Sequence, residues 1–174
     1  MESSHLQRLH AVCKRAGPGR LPGADSADLG AGYAAATAAI AATALYGVVL
    51  IVYAGATEPS ALVGTMLFVT AAMPVVVPAA FVVGIVGWRL MPTTSDAVGA
   101  LTGIFGVVAT YAIATALTVA LVTLAAGLSI TGATLADAVR FGIGLGAVAV
   151  VLTWWLTLPI GCVAGYVYTS VVAE

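Results

Sequence analysis

The chain has 174 residues, 61% of them hydrophobic and 7% charged, with a formal net charge of −1 and a mean hydropathy of +1.11. An ordinary soluble domain carries about a quarter charged residues, so this composition excludes one and describes a membrane protein. It also offers no broad basic surface, and no nucleic-acid partner is expected.

Charge is concentrated at the start of the sequence. Glu2, Arg8, Lys14, Arg15, Arg20, Asp25 and Asp28 all fall within residues 1–28, which read as a basic cytoplasmic tail and linker. Leu6, Leu9 and Val12 recur at three-residue spacing among the basic residues, a pattern suited to a short helix lying on an anionic lipid surface. Gly17-Pro18-Gly19 stops it. His5, His10 and Cys13 are close together, but a structural zinc site needs four ligands in paired spacing. No metal is expected there. Asp25, Ser26 and Asp28 are candidate caps for the helix that follows.

Beyond the tail only Glu58, Arg89, Asp96, Asp137, Arg140 and Glu174 are charged, which leaves charge-free runs at 29–57, 59–88, 97–136 and 141–173. About 20 apolar residues rising about 1.5 Å each cross a hydrocarbon core of about 30 Å, and every run is long enough. None carries the polar stripe that a soluble bundle helix needs. Nor do they alternate as the strands of a membrane barrel would. The predicted fold is all-α and polytopic, with a transmembrane domain over 29–174 and spans near 29–54, 61–88, 98–127 and 142–171.

The first span holds Tyr33-Ala34-Ala35-Ala36-Thr37 and is too long for a signal-peptide core, so it is expected to be retained. In the second, Pro74 and Pro78 each remove an amide donor and crowd the carbonyl one turn back, which predicts a bend. Trp88 beside Arg89 suits an interfacial anchor. The third span opens on the Gly99/Gly103 pair and carries Tyr111, Thr115 and Thr118 on one face, at i, i+4 and i+7. The fourth begins with Gly142, Gly144 and Gly146, continues through Trp154 and Trp155, bends at Pro159 and ends with the Gly161/Gly165 pair. Glycines four apart let helix backbones approach closely, either inside one chain or between chains. Cys13 and Cys162 fall in the tail and in the fourth span, so no disulfide is expected.

Two halves of the sequence resemble each other. Tyr33-Ala34-Ala35-Ala36-Thr37 matches Tyr111-Ala112-Ile113-Ala114-Thr115 at four of five positions, and Pro74 to Phe81 has the same spacing as Pro159 to Tyr166. This suggests a duplicated two-helix hairpin. Lys and Arg set topology. Arg8, Lys14, Arg15, Arg20 and Arg89 stand on one side against Arg140 on the other, which places both termini in the cytoplasm.

Function is constrained mainly by what the spans lack. No ionisable side chain lies well inside any of them, which removes the usual carriers of proton relay, ion coupling and voltage sensing. The only lysine is Lys14 and both histidines are in the tail, so an intramembrane retinal Schiff base or histidine-ligated haem has no anchor. No catalytic constellation and no cofactor site is recognisable. The expected role is that of a non-enzymatic membrane protein working through helix contacts, as an accessory or scaffold subunit or a homo-oligomer in the lipid bilayer. The alternative is a small channel or facilitator for an uncharged solute, with Tyr33, Thr37, Tyr111, Thr115 and Thr118 along its path. The plainer reading of those threonines is that each bonds to its own backbone. Abundant Ala, Val, Gly and Thr with no Asn suggests a GC-rich prokaryotic genome, hence the cytoplasmic membrane of a bacterium or archaeon.

Overall fold

The structure, a computed structural model, describes residues 22, 26–54, 59–91, 95–128 and 134–172. The predicted tail helix, with His5, His10 and Cys13, lies outside the described residues. Four helices account for nearly everything described: α1 (Ala27–Ala54), α2 (Pro59–Leu90), α3 (Asp96–Leu128) and α4 (Leu135–Val172). Among the described residues there is no strand. All four helices are long and apolar enough to cross a membrane, and the protein is a multi-pass, all-α membrane protein.

The helix ends follow local chemistry more than hydropathy. α1 starts after Ser26, whose carbonyl accepts from the Gly30 amide, while the Asp28 carboxylate accepts from the Leu29 amide. The first opens the helix's own ladder, and the second satisfies an amide that has no partner within the helix. α4 starts seven residues before the predicted span. Thr134 and Asp137 bond reciprocally there: the Thr134 hydroxyl donates to the Asp137 carboxylate at 2.6 Å, and the Asp137 amide donates to the Thr134 hydroxyl at 3.2 Å. That is a capping box with Asp in place of Glu. It winds Asp137 and Arg140 into exposed helix, where a hydropathy boundary would have left them in a loop.

The chain runs up, down, up, down. Arg89 at the end of α2 bonds Asp28 at the start of α1, and Gly99 at the start of α3 meets Thr169 near the end of α4. Tyr168 of α4 donates its hydroxyl proton to the carbonyl of Ala27 in α1. The start of α1 and the end of α4 therefore share one end of the bundle, together with Arg89. Packing is closest within each hairpin, α1 with α2 and α3 with α4, and sparser where α2 meets α3 and α1 meets α4. The diagonal pairs scarcely touch.

Candidate functional site

Glycine explains why the hairpins close so tightly. A methyl group at Gly103 would fall on the Gly161 carbonyl oxygen, and one at Gly165 on the Gly99 carbonyl oxygen. The two G-x-x-x-G pairs thus pack against each other inside one chain, backbone to backbone. Further along the same seam Gly146 receives Thr115 and Gly142 receives Val119. The first hairpin has one comparable crossing, where a methyl at Gly84 would lie 2.6 Å from the Ala31 carbonyl oxygen and 2.9 Å from the Gly32 Cα.

Between the two hairpins lies a cleft of about 750 Å³ with walls from all four helices. Its α1 wall is built largely of small residues. Ala31, Ala35, Ala38 and Ala42 line it from α1, and their spacing of i, i+4, i+7 and i+11 keeps them on one helical face. The polar side chains that line it are chiefly those of threonine and tyrosine. Thr43, Thr110 and Thr118 donate to the carbonyls of Ala39, Gly106 and Ala114, one turn back, at 2.7–2.8 Å. A threonine bonded in this way lowers the cost of burial in lipid without a second helix.

One group of hydroxyls does cross between helices. The Tyr111 hydroxyl lies 2.5 Å from the Thr153 Oγ1 and 2.7 Å from the Thr157 Oγ1, while Thr153 and Thr157 lie 2.7 and 3.0 Å from the carbonyls of Ala149 and Thr153. Tyr111 and Thr153 fall at the midpoints of α3 and α4, so this cluster sits at the middle of the span. Thr153 and Thr157 escape sequence reading because threonine is frequent in this chain. The available signal was their spacing of four, which puts both on one face of α4.

The residues singled out from sequence are divided by the structure. Tyr111, Thr115 and Thr118 all line the cleft. Tyr33 and Thr37 do not. The Tyr33 ring packs on Phe81 with centroids 5.1 Å apart and its hydroxyl donates to the Pro22 carbonyl, and Thr37 is exposed and bonds back to the carbonyls of Tyr33 and Ala34. The two hairpins also pair in different registers. If Tyr33 were placed as Tyr111 is, it would face Phe68 and Ala72 and not Phe81. Pro74, Pro78 and Pro159 are exposed, away from the cleft, and α2 and α4 each continue through them as one helix. Trp154 and Trp155 stand outward, 53% and 46% exposed, beside Pro159 and Cys162. The Trp155 indole donates to the Leu152 carbonyl at 2.8 Å, which meets its hydrogen-bonding need within the helix.

At the end of the bundle holding Arg89, three helices are tied together. The Arg89 guanidinium donates to the Asp28 carboxylate at 2.6 and 2.9 Å, and the Trp88 ring meets Tyr168 edge-on with centroids 5.1 Å apart. Tyr168 in turn reaches Ala27. Among the described residues no group of His, Cys, Asp and Glu is placed to hold a metal ion. No family model matches the chain, and no curated protein or solved structure matches it either.

Proposed function

We propose that this is a small non-enzymatic protein of a prokaryotic cytoplasmic membrane that acts through helix contacts, as an accessory or scaffold subunit or as a homo-oligomer. What supports this reading is the division of side chains by size. Glycines such as Gly84, Gly103, Gly161 and Gly165 lie in the seams, and large apolar side chains such as Val52, Leu67, Val108, Phe141 and Val151 stand outward on every helix. Outward faces of this kind meet lipid or other membrane helices, where packing drives association.

Native mass spectrometry of the protein, gently extracted from its own membrane, tests the proposal. A different membrane protein recovered in fixed ratio supports the accessory role, and a closed homo-oligomer supports self-association. A bare monomer under conditions that preserve other membrane complexes overturns both. The second reading, a facilitator for an uncharged solute, is favoured by the hydroxyl-bearing cleft. A homo-oligomer that conducts such a solute after reconstitution would move the assignment to it.

A further inference from the structure

The hydroxyl cluster in the cleft is acceptor-rich and donor-poor. Tyr111, Thr153 and Thr157 contribute three hydroxyl protons to four close contacts: Tyr111 with each threonine oxygen, Thr153 with the Ala149 carbonyl and Thr157 with the Thr153 carbonyl. Each hydroxyl supplies one proton and two acceptor lone pairs. If both threonines donate to their backbone carbonyls, the single Tyr111 proton serves one of them and the other contact is left without a proton. If Thr157 turns to Tyr111, the Thr153 carbonyl keeps only its helix bond. In every arrangement all three protons are used inside the cluster and oxygen lone pairs remain over. A guest can therefore be bonded without breaking anything only if it brings its own proton.

Depth and lining narrow the guest further. The cluster is at the midpoints of α3 and α4, in walls otherwise lined mostly by apolar residues, and among the described residues no charged side chain lines the cleft. A charged headgroup is costly at the bilayer centre and has no partner here. The cleft volume of about 750 Å³ falls within the range of about 300–1,000 Å³ that ligand pockets occupy. One turn from Tyr111, Thr115 makes no hydrogen bond to a described residue and also lines the cleft. An alcohol group, donor and acceptor in one, suits both.

We propose that the cleft between the hairpins is a binding site for a neutral lipophilic alcohol, with a long apolar body along the alanine face of α1 and its hydroxyl donating to the Tyr111–Thr153–Thr157 cluster. This site is separate from the outward faces invoked above, and either proposal can fail alone.

The test is equilibrium binding of radiolabelled geranylgeraniol to the full chain in lipid nanodiscs, compared with its methyl ether, which has the same body and no donor. Saturable binding is expected for the alcohol, weaker by about fivefold for the ether, the fold-change of one neutral hydrogen bond. Tyr111→Phe should remove most of that difference while leaving the ether's affinity unchanged. Ala38→Phe, which fills the cleft from α1, should abolish binding of both. Equal affinity of alcohol and ether for the unaltered protein overturns the assignment, as does the absence of saturable binding. Neither of those outcomes depends on a variant that must fold.

Discussion

Tyr168 joins α4 to two other helices at its end of the bundle. Its hydroxyl donates to the Ala27 carbonyl and its ring meets Trp88, so one residue of α4 holds α1 and α2. Tyr168→Phe keeps the ring contact and removes the hydrogen bond. A loss of about 1 kcal/mol is expected, the ordinary net worth of such a bond, read as a lowered unfolding midpoint in detergent or bicelles. The neighbouring Arg89–Asp28 pair is solvent-exposed on the arginine side. Exposed ion pairs contribute little and are screened by salt, so the pair orients the helix ends more than it stabilises them. Most hydroxyls of the cleft follow the same local logic: Thr43, Thr110 and Thr118 satisfy themselves on their own backbone, Thr115 makes no hydrogen bond to a described residue, and Tyr111 reaches across to α4.

At the scale of the helix pair, two glycines of α4 separated by one residue occupy opposite environments. A methyl at Gly142 would lie 2.8 Å from the Val119 Cα, whereas one at Gly144 meets nothing within 4 Å. Gly142→Ala should therefore destabilise the α3–α4 hairpin, by about 1–3 kcal/mol as overpacking does. Gly144→Ala should stabilise it by up to about 1 kcal/mol, because glycine is the poorer helix former. Steric-trapping measurements of unfolding free energy on the two variants check the pair, and a shift of the same sign in both would refute the seam as described. The proline-bearing helices illustrate a second point. Pro74, Pro78 and Pro159 each cost their helix a backbone bond, yet each is exposed.

For the whole molecule, two tightly closed hairpins meet along sparser contacts and leave the cleft between them. Because the start of α1, the end of α2, the start of α3 and the end of α4 share one end, the side of the membrane that this end faces fixes the whole topology. The Lys and Arg distribution predicts that this end faces the cytoplasm. Reporter fusions check this. An alkaline phosphatase fused after Val172 should be inactive and one fused after Leu128 active, and the reverse pattern would invert the protein.

Four membrane-spanning helices were legible in the sequence, because hydropathy over a charge-free run is a local property that lipid reads directly. The Tyr111, Thr115 and Thr118 face was legible for the same kind of reason: helical spacing alone puts the three together. The likeness between the Tyr33 and Tyr111 segments was legible too, but not that Tyr33 would pack on Phe81 while Tyr111 bonds to Thr153 and Thr157. Side-chain partners depend on how two helices slide past each other, and that is decided by where small residues allow the backbones to meet. The glycine pairs announced close approach without naming the partner; the tertiary structure directs them inward, Gly103 against Gly161 and Gly165 against Gly99. The cleft belongs to the same tertiary choice, since contacts are close within each hairpin and sparser between the hairpins, where the alanine face of α1 lines the space.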